Sequence, residues 1–140
     1  AAALVMCRAS TAERLGMTPV AKVVGHASFA HEPAKFTSAP VHATRNLMER
    51  IGWTMDDVDL FEVNEAFAVV ALIAEKELGI ERDKLNVNGG ACALGHPIGA
   101  SGARIMATLL GALENRDLKR GIAAICIGGG EATAIALERI

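Results

Sequence analysis

Short apolar runs alternate along this chain with segments in which apolar residues recur at helical spacing, and this alternation constrains the fold more than any other feature. The predicted strands are Val20–Ala30, Asp59–Val63, Gly121–Ile127 and Ala132–Leu137. The predicted helices are Ala12–Leu15, Pro40–Ile51, Glu65–Leu78 and Gly99–Glu114. Strands that alternate with helices favour a layered α/β domain with a mostly parallel sheet, whereas the last two strands, joined by a run of glycines, predict an antiparallel hairpin. We therefore expect an α-β-α arrangement in which helices cover both faces of a mixed five-stranded sheet.

Other segments have weaker patterns. Ala1–Cys7 is an apolar run ended by Arg8, which indicates a buried strand with Cys7 in the core. Leu85–Asn88 is predicted as a short strand, and His31–Pro40, which carries two prolines, as a loop. The start of the chain looks like a strand cut at its beginning. We therefore expect residues 1–140 to be one domain of a longer protein.

Composition excludes several classes of function. The 140 residues suit one domain, and 51% hydrophobic against 21% charged residues favours a packed core over disorder. A net charge of −2 without a basic stripe argues against nucleic acid as a partner. No apolar run reaches the roughly 18–20 residues that span a bilayer, so no membrane partner is expected. The three cysteines have no framework spacing, which favours a reducing, cytoplasmic setting.

Glycines are densest around His96, which follows Gly95 and precedes Pro97 and Gly99. Proline at this point is common where a helix begins, and the glycines let the backbone approach a substrate closely. An imidazole held in such a loop can donate to a developing oxyanion or transfer a proton near neutral pH. A hydrogen-bonded structural histidine is the alternative interpretation.

A second glycine cluster follows Cys126, which ends a predicted apolar strand just before Gly128, Gly129 and Gly130. A buried cysteine in a strand is usually inert core. At the last position of a strand, facing a glycine turn, the thiol has open space and backbone N–H groups nearby. The Gly128 N–H can then form part of an oxyanion hole, while the thiol acts as an acid or base on carbon. The sequence leaves the core and the catalytic interpretation open.

Asn64 stands where a predicted strand gives way to a helix. Ligands gather at the carboxyl ends of strands in open α/β sheets, and an amide there can hold a water or a carbonyl group. The simpler interpretation is that Asn64 caps the helix that follows.

Other polar groups carry weaker signals. Cys92 and His96 are four residues apart, a spacing that suits metal ligands on a helix, but the loop pattern is not helical and no second Cys/His pair follows. We therefore predict no metal site. The carboxylates on the predicted third helix are expected to form a solvated face; they belong to Glu65, Glu75 and Glu77.

Taken together, three motifs resemble a known family. Asn64-Glu-Ala-Phe67, Gly95-His96-Pro97 and Cys126-Ile-Gly128 match, in order, hallmark motifs of the C-terminal domain of thiolases, the acetyl-CoA acetyltransferases and 3-ketoacyl-CoA thiolases. The resemblance covers essentially the whole chain. It implies a thiolase-like α-β-α half that takes part in acyl transfer with Claisen condensation of acetyl-CoA, or in the reverse thiolysis of 3-ketoacyl-CoA.

The resemblance also implies roles for single residues. His96 would activate a nucleophilic cysteine and, with a water held by Asn64, stabilise the enolate oxygen of acetyl-CoA. Cys126 would move a proton to or from the acetyl α-carbon, and the Gly128 N–H would hold the oxygen of the acyl-enzyme. Phe36 occupies a position that lines the acyl pocket in relatives, where Met is frequent.

The family's acylated cysteine belongs to an N-terminal domain whose motif this chain lacks, so the resemblance implies a missing domain as partner and an isolated chain that does not turn over. It further implies a coenzyme A thioester as substrate, no permanently bound cofactor, a role in fatty acid metabolism, a homo-oligomeric parent and a cytoplasmic location, or the mitochondrial matrix in a eukaryote. A non-catalytic acyl-CoA-binding or assembly module is the alternative. A ketoacyl synthase on the same fold is disfavoured, because a cysteine holds the last catalytic position instead of histidine or asparagine.

Overall fold

The computed structural model describes all residues from 1 to 140. The helices are α1 (Ala9–Arg14), α2 (Ala39–Ile51), α3 (Ala68–Leu78), α4 (Ala91–Leu94) and α5 (Ile98–Asn115). The strands are β1 (Ala21–Ala30), β2 (Leu60–Val63), β3 (Arg120–Ile127) and β4 (Glu131–Arg139). Short 3₁₀ turns cover Pro33–Ser38, Met55–Asp57 and Arg82–Lys84. No helix is long and apolar enough to cross a membrane.

The strands form one mixed sheet with the order β1-β4-β3-β2. β4 pairs antiparallel with both β1 and β3, as the predicted hairpin requires, and β3 pairs parallel with β2. The expected α/β architecture is confirmed. The sheet has four strands rather than the five expected.

Two of the predicted strands are wrong. Residues 1–8 have no regular structure and are mostly exposed, and Cys7 lies at the surface rather than in the core. A short apolar run forms a strand only where a sheet edge pairs with it, and this run pairs with neither edge strand, β1 or β2. Leu85 makes a single parallel bridge to Phe61, after which Asn86 turns into a left-handed conformation with φ 48°. That conformation ends the pairing at once.

Helices cover both faces of the sheet because alternate residues of each strand point to opposite sides. On β3, Ile122 and Ala124 pack in a core with α2 and α3, whereas Ala123 between them packs in a second core with α5. Leu47 of α2 and Leu109 of α5 are fully buried at the centres of these two cores. The layers are therefore α2 and α3, then the sheet, then α5.

Small residues in β3 let α5 approach the sheet closely. A Cβ atom built on Gly121 would lie 2.7 Å from Cδ1 of Leu109, which is itself fully buried. No real Cβ tolerates that distance, so the glycine sets the spacing between the helix and the sheet. The same spacing fixes the height of the α5 N-terminus above the sheet edge.

Gly121→Ala is expected to lower the free energy of unfolding by about 1–3 kcal/mol, because overpacking displaces Leu109. Gly111→Ala is the matched control, since nothing lies within 4 Å of its added Cβ and the residue is inside α5. That control should be neutral or stabilising by up to about 1 kcal/mol. Urea unfolding of both variants measures the difference. Equal stabilities would show that Gly121 does not set the spacing.

Candidate active site

The carboxyl ends of β2 and β3 meet at one edge of the sheet because these strands run parallel. Val63 lies opposite Ala124, and the Asn64 N–H donates to the Ala124 carbonyl at 2.9 Å. Asn64 follows the last residue of β2, and Cys126 lies two residues beyond Ala124 on β3. Two of the predicted site residues are thus brought to the same edge by backbone pairing alone.

A cavity of about 460 Å³ opens at this edge. His96, Cys126 and Gly128 line it, together with Phe36 from the 3₁₀ turn Pro33–Ser38. The remaining lining residues are all apolar or glycine: Pro33, Ala66, Ile98, Gly102, Ile125, Ile127 and Gly129. A small space with one imidazole and one thiol in an apolar wall suits a short acyl group better than a charged ligand.

Ser101, in the first turns of α5, fixes the orientation of His96. Its Oγ lies 2.6 Å from Nδ1 of His96 and donates to the Pro97 carbonyl at 3.1 Å. Because the single hydroxyl proton is directed to Pro97, Oγ accepts from His96, and Nδ1 carries the imidazole proton. Nε2 is then the unprotonated nitrogen. Ser101 is fully buried, so Nδ1 faces the interior and Nε2 is the nitrogen left for a substrate or nucleophile.

Asn64 does not cap a helix. Helix α3 begins only at Ala68, and its N-terminal cap position is Phe67. The buried amide instead lies against the imidazole, with Nδ2 3.4 Å from Nε2 of His96. The capping interpretation is wrong because Glu65 to Phe67 form an extended turn, and that turn frees the Asn64 side chain to face the α5 side of the sheet edge.

Cys126 is 9% exposed, and burial raises the pKa of its thiol above the ordinary value. Loss of solvation disfavours the thiolate, so the group carries its proton at neutral pH. A thiol next to a small cavity can deliver that proton to a carbanion. It acts as a base only after it has been deprotonated.

The glycine turn after β3 is shaped by two residues with positive φ, 95° at Gly129 and 90° at Gly130. A Cβ on Gly130 would lie 2.3 Å from the His31 carbonyl oxygen, and the His31 N–H donates to the Gly130 carbonyl at 3.1 Å. The turn is therefore packed against the segment that leads to Phe36, so the two parts of the chain that supply Gly128 and Phe36 to the cavity wall are held together.

Phe36 also contacts the turn that follows Asn64. Its ring meets that of Phe67 edge to face, with centroids 6.0 Å apart. This edge-to-face contact favours the orientation in which the Phe36 ring lines the cavity.

Glu65, predicted as part of a solvated face, instead anchors the histidine loop. Its carboxylate accepts from the Cys92 N–H at 2.9 Å and from Nδ2 of Asn86 at 3.3 Å. Partial burial raises the pKa of Glu65. These hydrogen bonds lower the pKa by more than burial raises it, so the pKa of Glu65 is below the ordinary value. A Cβ on Gly90 would lie 2.3 Å from the carboxyl carbon, so glycine is needed for the loop to reach it.

Asn86 completes this anchor. Its amide accepts from the Val63 N–H at 2.8 Å and donates to the Val63 carbonyl at 2.9 Å, which imitates a neighbouring strand. The sequence offered a partial signal here, since asparagine tolerates the left-handed conformation that this position adopts. Nothing in the sequence indicated its partner.

A buried ion pair lies behind Asn64 and was also missed. Glu62 is 2% exposed, and Nη1 of Arg104 lies 3.5 Å from its Oε2. Burial raises the pKa of Glu62 to about 7, against the opposing effect of the Arg104 charge. The available signal was a glutamate inside the otherwise apolar strand Leu60–Val63. An isolated charge in a buried strand usually has a partner.

No group of three or more His, Cys, Asp or Glu side chains is placed to hold a metal ion. Cys92 lies at the surface. The pKa of its thiol is nevertheless raised, first by partial loss of solvation and then by a hydrogen bond to Glu65 and the negative charge of Glu65. A raised thiol pKa opposes metal ligation, which needs the thiolate.

Comparisons with known proteins agree with this architecture. A family model described as the thiolase C-terminal domain matches residues 17–139. The acetyl-CoA acetyltransferase of Synechocystis is 53% identical over 140 residues, which are 100% of this chain and 35% of that protein. The acetyl-CoA acetyltransferase of Escherichia coli is 49% identical, again over 100% of this chain and over 36% of its own length.

Solved structures give the same result. The Bacillus anthracis acetyl-CoA acetyltransferase superposes with a TM-score of 0.91 at 42% identity, covering 94% of this chain and 34% of its own. The Acat5 thiolase of Ascaris suum, solved in complex with coenzyme A, superposes with a TM-score of 0.89 at 43% identity, covering 95% and 34%. The chain thus spans about a third of the length of these relatives.

Alkylation tests the environment of Cys126. In the folded chain at about pH 8, iodoacetamide should modify Cys7 at least about tenfold faster than Cys126, because Cys7 is exposed whereas Cys126 is buried with a raised pKa. Peptide mass spectrometry after brief labelling measures both rates. In denaturant the two rates should converge. Equal rates in the folded chain would contradict the buried, protonated thiol.

The burial of Glu62 makes stability depend on pH. Because folding raises the pKa of Glu62 from 4.5 to about 7, the folded chain binds more protons than the unfolded chain between these values. Its free energy of unfolding should therefore fall as the pH rises through this window, by roughly 1–3 kcal/mol. Glu62→Gln should remove this part of the slope in urea unfolding, whereas Gln at the exposed Glu114 should not. An unchanged slope in Glu62→Gln would contradict the raised pKa.

Proposed function

The chain belongs to the thiolase family, as its C-terminal domain, and from this premise we propose that it supplies the acid–base half of a thiolase active site. The parent protein would transfer acyl groups between coenzyme A thioesters, either condensing acetyl-CoA to acetoacetyl-CoA or cleaving 3-ketoacyl-CoA. The observation that carries this proposal is the single cavity lined by His96, Cys126 and Gly128, with Asn64 in contact with the imidazole.

The first half-reaction needs a base that faces the cavity. A cysteine thiol from the part of the parent outside this chain would attack the thioester carbonyl, forming a new carbon–sulfur bond as coenzyme A leaves. His96 would take the proton of that thiol on Nε2 and return it to the departing coenzyme A sulfur, so protons balance. The fixed Nδ1–H to Ser101 contact supports this role, since it leaves Nε2 without a proton of its own.

The second half-reaction is chemistry at the α-carbon. In thiolysis, attack of the nucleophilic cysteine on the ketone carbonyl breaks the carbon–carbon bond, and the Cys126 thiol protonates the departing enolate to give acetyl-CoA. In condensation the steps run in reverse, with Cys126 as the base. His96 would take the proton of the attacking cysteine on Nε2. This Nε2–H, with a water held by Asn64, would stabilise the enolate oxygen, and the Gly128 N–H would hold the acyl-enzyme oxygen.

Phe36 is proposed to limit the acyl pocket. Its ring forms one wall of the cavity and is held by Phe67. Phe36→Met, in an active thiolase that contains this chain, should change the ratio of kcat/KM between acetoacetyl-CoA and a longer or branched 3-ketoacyl-CoA by about tenfold. Steady-state thiolysis of both substrates measures this ratio. An unchanged ratio would remove Phe36 from the specificity determinants.

The proposal extends to the location and assembly of the parent protein. A cytoplasmic site, or the mitochondrial matrix, is supported by three cysteines of which none is in a disulfide. A homo-oligomeric parent with a role in fatty acid metabolism is supported by membership of the family. Acetyl-CoA or 3-ketoacyl-CoA and the family's N-terminal domain are the proposed partners.

A chimera tests the proposed activity. This chain replaces the matching segment of the Synechocystis acetyl-CoA acetyltransferase, with which it shares 53% identity. The chimera should catalyse thiolysis of acetoacetyl-CoA. The loss of substrate absorbance measures the rate. His96→Ala and Cys126→Ala should each lower kcat by about 10²–10⁴-fold, whereas His26→Ala, at an exposed histidine, should leave it unchanged.

Two outcomes separate the candidate functions. A folded chimera without thiolysis would overturn the proposed catalytic role. If the 140-residue chain alone bound acetyl-CoA in calorimetry, with an affinity that His96→Ala and Cys126→Ala left unchanged, a non-catalytic binding module would be the better description.

A further inference from the structure

We propose that Arg104 is a positioning residue that acts through the Asn64 amide to select the tautomer of His96 in which Nε2 is free to accept a proton. Arg104 does not line the cavity, and the proposal rests on the proposed function only in taking His96 as the base. The buried pair of Arg104 and Glu62 takes no part in the two half-reactions, and the proposal gives it a role.

The first step is the orientation of the amide. Nη2 of Arg104 lies 3.0 Å from one atom of the Asn64 amide, and Nε2 of His96 lies 3.4 Å from the other. A guanidinium group has donors only, so the amide atom that faces Arg104 must be oxygen. The NH₂ group then faces the imidazole and donates to Nε2, which must be unprotonated.

Without that donor a second arrangement satisfies the same atoms. The Asn64 amide turns over, and its oxygen accepts from a protonated Nε2. The Ser101 hydroxyl then leaves the Pro97 carbonyl and donates to Nδ1. Imidazole, amide and hydroxyl are all partnered in both arrangements. The Ser101 hydroxyl can donate to either acceptor, whereas the Arg104 donor cannot become an acceptor, so Arg104 discriminates between the two arrangements more strongly.

The structure holds Arg104 firmly in this position. Its side chain is 18% exposed and reaches from α5 to Asn64 and, at 3.5 Å, to the buried carboxylate of Glu62. Nε of Arg104 and Oε1 of Glu62 are both buried without a hydrogen-bond partner. The Glu62 carboxylate supplies the negative charge that keeps the guanidinium beside Asn64.

One helix thereby controls both nitrogens of His96. Ser101 and Arg104 are three residues apart on α5, so they lie on the same side of the helix. Ser101 contacts Nδ1 directly, and Arg104 reaches Nε2 through Asn64. Because both contacts favour the same tautomer, the proton-accepting nitrogen is set before any substrate arrives.

The test is the tautomer of His96, read from two-bond proton–nitrogen correlation spectra of the ¹⁵N-labelled 140-residue chain. Spectra are recorded above about pH 8, where imidazoles are neutral, and His96→Asn identifies the signals. The wild-type chain should carry the proton on Nδ1. Arg104→Met, which removes the donor, should shift the ratio toward the Nε2–H form by about tenfold or more, the effect of one charge-assisted hydrogen bond.

Companion variants keep the result decisive. Arg104→Lys retains a donor-only cation and should preserve the Nδ1–H form. The double variant Glu62→Gln/Arg104→Met leaves no buried charge unpaired, so it decides the matter if Arg104→Met alone does not fold. Arg82→Met is the matched control, because Arg82 makes an exposed pair with Glu75 and should not change the tautomer.

A kinetic readout follows in the active chimera. Arg104→Met should lower kcat for thiolysis by about 10–100-fold, with little change in KM, and Arg104→Lys should recover most of that loss. A dominant Nε2–H form in the wild-type chain, or an Nδ1–H form that persists in the folded Arg104→Met or double variant, would overturn the proposal. The tautomer is measured without turnover, so an inactive chimera would count against the proposed function and not against Arg104.

Discussion

The parallel pairing of β2 with β3 is the interaction on which the rest of the site depends. It places Val63, the last residue of β2, opposite Ala124 of β3, which lies 61 residues later in the chain. Asn64 and Cys126 lie at that edge, and the position of α5 places His96, just before its first residue, beside them. Hydrogen bonds between buried backbone groups hold the two strands in this register, so both side chains lie at the same edge.

Polar contacts in a dry environment turn that geometry into chemistry. Ser101 contacts one nitrogen of His96, and Asn64, Arg104 and Glu62 follow one another from the other nitrogen. Ser101, Asn64 and Glu62 are buried. In such surroundings each donor and acceptor must be matched, so the direction of one hydrogen bond dictates the next. Glu65 performs a mechanical task beside these contacts, since it ties the histidine loop to the β2–α3 turn through Cys92 and Asn86.

Much of this was accessible from the sequence. Alternating patterns predicted the layers, and glycines with positive φ at Gly129 and Gly130 agree with the turn expected after Cys126. The failures have a common cause. Ala1–Cys7 and Leu85–Asn88 have the local composition of strands, but strand formation depends on a distant partner that local composition does not reveal. Asn64 is a residue type that often caps helices, yet the residues after it form an extended turn. Glu65 was assigned to a helix that begins three residues later.

By itself the sequence determined which reactive groups exist, which backbone positions require glycine, and the family to which their order belongs, because these properties reside in single residues and short spacings. Tertiary structure alone decided that Arg104 faces the Asn64 oxygen and that Ser101 accepts from His96. Which nitrogen of an imidazole holds its proton depends on the donors and acceptors that folding places around it. Those partners come from separate elements, and only the packing of α5 against the sheet brings them within hydrogen-bond distance.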